Sequence, residues 1–161
     1  MTIAVNRLYI DLVRPGLNAC FVATVPTILA LTYEPAAIQR PLVYSLADSR
    51  DATTAGQIHV VTYRTLHSAC IPYQDPEGAE LLALAWLDAL PNSVLASREF
   101  LNLGAPIEPL IKPADGRVGA KCDISEARLG FKTIGGALNR AIEFYSIVMI
   151  KLNIERIRSA L

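Results

Sequence analysis

The residue types that come closest to catalytic or metal chemistry are His59, His67 and Cys70, which all fall in the stretch 57–71 (QIHVVTYRTLHSACI). Imidazole and thiolate are preferred zinc ligands, and together they can form a nucleophile and its base. The spacing works against both uses. The stretch is rich in Val, Ile, Thr and Tyr, stops at Pro72 and reads as one strand, long enough to bend or bulge. On such a strand His59 and His67 share a face but lie about 26 Å apart, while His67 and Cys70 point to opposite faces. Cys20 and Cys122 form no C-x-x-C pair, so the thiols read as small buried hydrophobes. Glu77 and Glu80 look like an acid/base couple, but their place at a helix start is explained by capping. Neither G-x-S-x-G, H-E-x-x-H, a P-loop nor G-x-G-x-x-G occurs. Gly135-Gly136 falls in a hairpin turn and not before a helix, which argues against a phosphate cradle. The expectation is therefore a protein that is not an enzyme, with no catalytic residue, cofactor or metal. The alternative class is a small cytoplasmic enzyme working through the His67/Cys70 region.

The elements that would position these residues are those of one domain spanning 1–161, with a core over about 1–150 and a short tail at 151–161. At 161 residues the chain should hide roughly 70% of its unfolded surface, and 52% hydrophobic content supplies the core. Fifteen basic against fifteen acidic side chains give zero net charge, which argues against specific nucleic-acid binding. Three Cys are too few for a secreted disulfide framework, so a reducing compartment or a free-thiol assembly fits better. The uncharged run 15–33 is nominally long enough to span a bilayer, but Pro26, Gly16, Asn18 and three Thr make it two buried pieces broken at Pro26. No membrane partner is expected. Nor does a signal peptide fit, so the mature chain is expected to start at or near Met1.

Thr2 can cap a helix over about 3–14, with Val5, Leu8, Tyr9, Leu12 and Val13 on one face, ended by Pro15-Gly16. Ile28–Tyr33 and Pro41–Leu46 are β-like. The polar, small stretch Ala47–Gly56 reads as a solvated loop or arm. Asp75-Pro76-Glu77 starts a second helix, which Pro91-Asn92 stops after Leu90. Leu81, Leu82, Leu84, Trp86, Leu87 and Leu90 surround it so widely that one sheet cannot cover them, and the N-terminal helix or a neighbouring subunit must do so. Residues 98–116, rich in Pro and Gly, read as an irregular excursion. A half-buried strand over Arg117–Glu126 and a long one over Ala137–Ile150, with Ile142, Phe144, Val148 and Ile150 on one face, form a C-terminal hairpin. Ile150, Ile154, Ile157 and Leu161 then stripe a short helix whose last turns carry Arg156 and Arg158. The fold class is α+β: a mixed, mostly antiparallel sheet packed by an N-terminal and a central helix, with a long C-terminal β-hairpin.

Four stretches carry a family resemblance: 40–49 (RPLVYSLADS), 55–67 (AGQIHVVTYRTLH), 71–80 (IPYQDPEGAE) and 135–145 (GGALNRAIEFY). The chain resembles the tail terminator proteins of long-tailed bacteriophages. That family shows a strand leading into a Gln-Asp-x-Glu-x-Ala-Glu-like helix start, an Ile-Pro-like exit matched by Leu90-Pro91, and a closing Gly-Gly-x-x-Tyr-Arg-x-x-x-Phe strand. Asn139 stands where the family commonly has Tyr, and a Pro-rich segment replaces the usual Gly-rich one after the long helix. The resemblance implies a virion structural protein forming a hexameric ring, made in the host cytoplasm and resident at the tail and neck. It would cap the tail tube and join it to the neck, with the tube protein, a neck or connector protein and, in a contractile tail, the sheath as partners, and DNA passing through the ring. Another neck component, a stopper or head-completion protein, is the alternative.

Residues 1–111 carry net −4 and residues 112–161 net +4, a polarity that interspersed surface charge would explain and that also suits a block with unlike faces. On this reading Arg50, Asp51, Thr53 and Thr54 of the polar arm are candidate subunit contacts. Ile154, Arg156, Ile157 and Arg158 of the tail are candidate partner contacts.

Overall fold

The computed structural model describes residues 6–7, 9–56, 58–96 and 120–153. A π-helical turn, Tyr9–Val13, runs directly into helix α1, Arg14–Thr24. Strands β1 (Leu29–Leu31), β2 (Leu42–Ala55) and β3 (Ile58–Pro72) follow, then helix α2 (Pro76–Ala96). Strands β4 (Ala120–Ile124), β5 (Arg128–Ile134) and β6 (Ala137–Asn153) complete the described chain. The strands form one sheet in the order β1-β2-β3-β6-β4, with β5 also on β6. Only the β1–β2 pair is parallel, so the fold is α+β with a mixed, mostly antiparallel sheet.

Both helices lie on one face of this sheet. Alternation puts Val61, Tyr63, Ala69 and Ile71 of β3 on that face with Ile142, Phe144, Val148 and Ile150 of β6. Against them α2 turns Ala79, Ala83, Trp86, Leu90 and Val94, and the N-terminal helical segment turns Tyr9, Val13, Leu17 and Phe21. Both sets follow three- and four-residue helical spacing. The N-terminal helical segment thus packs against α2 as expected, yet Leu81, Leu84 and Leu95 remain exposed. On the opposite face a smaller cluster joins Leu42, Tyr44, Cys70 and Ile134 to Ile38.

Several local expectations give way to tertiary structure. Pro15-Gly16 does not end the first helix. Pro15 sits in the first turn of α1, directly behind the π-helical turn Tyr9–Val13, and the helix continues to Thr24. Of the expected helix, residues 1–5 and Leu8 lie outside the described residues. The break at Pro26 is present, and no helix among the described residues is long and apolar enough to cross a membrane. Pro91 does not stop α2, which continues to Ala96 with Pro91 buried. Burial of Leu90 and Val94 on the core outweighs the roughly 3 kcal/mol that an interior proline costs a helix.

The stretch Ala47–Gly56 is not a loop. It forms the outer half of β2, paired with Thr65–Ile58 of β3 through a bulge between Ala47 and Ser49. Its weak β-formers are held by a strongly β-prone partner, and Gly56, at φ +61°, turns the hairpin. The C-terminal hairpin is also shorter than expected. Gly135-Gly136 joins β5, not β4, to β6, while β4 pairs farther along the same side of β6, from Ser146 to Ile150. β6 carries Ile150 onward to Asn153, so Ile150 lies in a strand and not in a tail helix. The excursion at 98–116 and the tail positions Ile154, Arg156, Ile157, Arg158 and Leu161 lie outside the described residues.

Gly135 combines φ +60° with a site where an added Cβ would stand 2.7 Å from the Ala36 carbonyl oxygen. Left-handed backbone alone costs a side-chain-bearing residue about 1–2 kcal/mol. Gly135→Ala should therefore destabilise by at least that amount, read as a lower urea midpoint with unchanged slope. Gly130→Ala, where the added methyl meets nothing within 4 Å, is the control.

Candidate functional site

Of the polar residues on the helix-facing side of the sheet, three meet. Ser45 of β2 lies directly across from His67 of β3, and Ser146 of β6 reaches the other side of the imidazole. Ser45 Oγ donates to Asn18 Oδ1 of α1 at 3.1 Å, so at His67 it accepts, and Nδ1 carries the proton at 2.7 Å. His67 Nε2 is then the acceptor for the Ser146 hydroxyl, also at 2.7 Å. Asn18 Nδ2 ends the chain on the Leu31 carbonyl at 3.5 Å. One proton-ordered line thus ties α1, β1, β2, β3 and β6 together.

The line contains a serine hydroxyl on an imidazole, which is the start of a nucleophile–base pair. Its surroundings suit positioning instead. Ser45, His67 and Ser146 are all fully buried, and Phe21 and Phe144 pack on the imidazole at centroid distances of 5.1 and 5.0 Å. Burial pulls the His67 pKa down to about 3, so the ring is neutral and weakly basic. Nearby, Tyr9 and Thr65 share a 2.7 Å hydroxyl–hydroxyl bond, and Tyr9 stacks on Tyr63.

His59 does not join this group. It shares the face of His67 as expected, but bonds Thr54 Oγ1 through Nδ1 at 2.8 Å at the far end of β3. Cys70 faces the other side of the sheet, in the cluster with Tyr44 and Ile134. Burial pushes the Cys70 thiol up to about 11 and the Cys122 thiol up to about 12, away from the thiolate form. Among the described residues no three His, Cys, Asp or Glu side chains are grouped to hold a metal ion. Glu80 pairs with Arg140 Nε at 2.9 Å, while Glu77 stands exposed in the first turn of α2.

The face of the sheet turned away from the helices carries a second set of charged groups. Arg64 lies 4.0 Å from the Tyr145 ring and pairs with Asp48 at 3.5 Å. Lys132 donates to the Tyr44 hydroxyl at 2.5 Å and pairs with Glu143 at 3.3 Å. Burial opposes its charge, but the Tyr44 and Glu143 contacts together raise its pKa. Arg64, Ser125, Glu126, Arg128, Glu143 and Tyr145 line a groove of about 360 Å³. Two guanidiniums and two carboxylates in one groove suit a partner of mixed charge better than an anion.

The candidate subunit-contact residues Arg50, Asp51, Thr53 and Thr54 are all exposed, but on the outer half of β2 and not on an arm. Register puts Asp51 and Thr53 on the face turned from the helices, and Arg50 and Thr54 on the helix side. Thr54 is engaged by His59, and Arg50 bonds the Tyr63 hydroxyl. The candidate partner-contact residues Ile154, Arg156, Ile157 and Arg158 are outside the described residues. The Ser45–His67–Ser146 line was not anticipated, although a signal exists: each is a polar residue at an inward position of an otherwise apolar alternation.

Two measurements check this assignment. The His67 pKa is lower folded than unfolded, so the unfolded chain binds more protons between pH 6.5 and about 3. The resulting stability is complete above pH 6.5 and is lost as pH falls, by up to about 1.4 kcal/mol per pH unit. Urea midpoints for wild type should fall more steeply from pH 7 to 4 than those of His67→Gln. Iodoacetamide at pH 8 should modify Cys70 and Cys122 slowly in the native protein and rapidly in urea. Replacing all three cysteines with Ala should keep the fold at a cost of about 1–3 kcal/mol per buried site. Compared with known proteins, the chain matches no protein-family model and no curated protein.

Proposed function

We propose that this chain is a bacteriophage virion structural protein, a tail terminator whose subunits form a hexameric ring that caps the tail tube and joins it to the neck. The observation that carries the reading is where the four stretches of resemblance fall. Residues 40–49 lead into β2, 55–67 build most of β3, 71–80 hold the end of β3 and the first turn of α2, and 135–145 are the tight turn and first half of β6. These stretches form adjacent elements around one core, which supports treating them as parts of one likeness.

One further feature supports an assembly role. Leu81, Leu84 and Leu95 leave α2 with exposed apolar surface, at 65, 53 and 51% relative exposure, of the kind that partners cover. Asn139, which departs from the family pattern, is buried and donates to the carbonyls of Ala137 at 3.1 Å and Lys132 at 3.4 Å. It thereby braces the β5–β6 turn with a different side chain. Tube and neck proteins are the partners of this reading, and DNA passes through the ring without specific recognition.

Negative-stain imaging of the purified protein, and immunogold labelling of virions that carry it, test the proposal together. Rings in solution and label at the head–tail junction are the expected result. Label at the portal side of the neck would favour a stopper or head-completion protein, and absence of label from virions would overturn the structural reading.

A further inference from the structure

Among the described residues the sheet ends in two open edges. β1 pairs with β2 only over Leu42–Tyr44, so from Ser45 to Ala55 β2 has β3 on one side and no strand on the other. At the opposite end β4 and β5 pair with β6 alone. Long open edges attract other strands, and chains commonly blunt them with Lys or Pro. The stretch 49–55 (SRDATTA) holds neither.

The two edges fit one another in direction and charge. β2 is antiparallel to β3, β3 to β6, and β6 to both β4 and β5, so β4 and β5 run opposite to β2. A second copy placed beside the first in the same orientation would therefore continue the sheet as an antiparallel pair. Asp51, opposite Thr62, is exposed on the face turned from the helices. Arg128, opposite Glu143, is exposed on the same face at the other edge. The ion pairs of the described residues include neither.

We propose that the β2 edge around Ser49–Asp51 is the docking edge for a second copy of this chain, which adds the start of its β5 antiparallel with its Arg128 opposite Asp51, so that Ala52–Ala55 run on beside the link from its β4. That register also sets Ser49 against Gly130 of the second copy, a position without a side chain to obstruct the approach. Backbone hydrogen bonds supply the attraction and the Asp–Arg pair selects the register. Because the contact joins two different edges, each copy keeps one edge open, and repetition ends only when a ring closes. The proposal rests on the assembly reading above and gives it a contact.

Light scattering at high micromolar concentration reads the outcome, with circular dichroism as the check on folding. Wild type should weigh several times the 17.5 kDa of one chain. Asp51→Arg and Arg128→Asp should each bring the mass down to one chain, and the double variant should restore it. Asp51→Asn and Arg128→Gln, which lower the attraction without creating repulsion, should give intermediate masses if either charge reversal unfolds the chain. A monomeric wild type, single variants of unchanged mass, or a double variant that stays monomeric would overturn the proposal. Rings that survive both single variants would overturn this contact while leaving the ring reading intact. Rings that need the edge, formed by a protein absent from the head–tail junction, would keep the contact and overturn the tail-terminator reading.

Discussion

The register of β2, β3 and β6 depends on finding partners for one buried imidazole. A polar group left unpaired in the core costs about 1–3 kcal/mol, and His67 has two ring nitrogens to satisfy. Ser45 stands directly across from it on β2 and Ser146 reaches it from β6. Slipping either strand by one residue would turn its serine to the other face and leave the imidazole unmatched. The apolar alternation around these positions tolerates the same two faces but cannot choose among registers that preserve them; the serines can. Asn18 extends the choice to α1, since its amide must lie over Ser45, and Phe21 one turn later then packs edge-on against the imidazole.

With that face closed by both helices, the molecule's remaining chemistry is left to the other face and to the edges. The Lys132–Tyr44–Glu143 group and the Arg64–Tyr145 stack lie across the open face, where charged groups remain hydrated. The thiols of Cys70 and Cys122 are held protonated by burial. Among the described residues the thiols and the imidazole of His67 are turned inward, while charged side chains and strand edges face outward. That division is in keeping with the assembly role proposed above.

Where a signal is local, it was legible in the residues. Asp75-Pro76-Glu77 starts α2 because Pro is at home in a first helical turn and acidic side chains favour the N-terminal end of the dipole. β3 and the inward stripe Ile142, Phe144, Val148 and Ile150 followed from composition and period two. Gly135-Gly136 marked a turn because both positions have positive φ. The candidate contact residues Arg50, Asp51, Thr53 and Thr54 are exposed, as a small polar stretch implies, but they lie on a strand and not on an arm. Thr53 and Thr54 favour a strand, but Ala, Ser and Asp around them do not, and it is the pairing with β3 that extends the whole stretch.

Sequence by itself thus determined which residues could be buried, which face of each strong element they occupy, and where tight turns fall, since these depend on side-chain hydrophobicity and backbone sterics within a few residues. Only the tertiary structure decided that the helices run through Pro15 and Pro91, that β4 and β5 lie in line along β6, and that Ser45, His67 and Ser146 meet. Each of these outcomes compares a local cost with the burial or hydrogen bonding supplied by residues distant in the chain. His67 and Ser146 are 79 positions apart, and no window along the sequence contains both sides of that comparison.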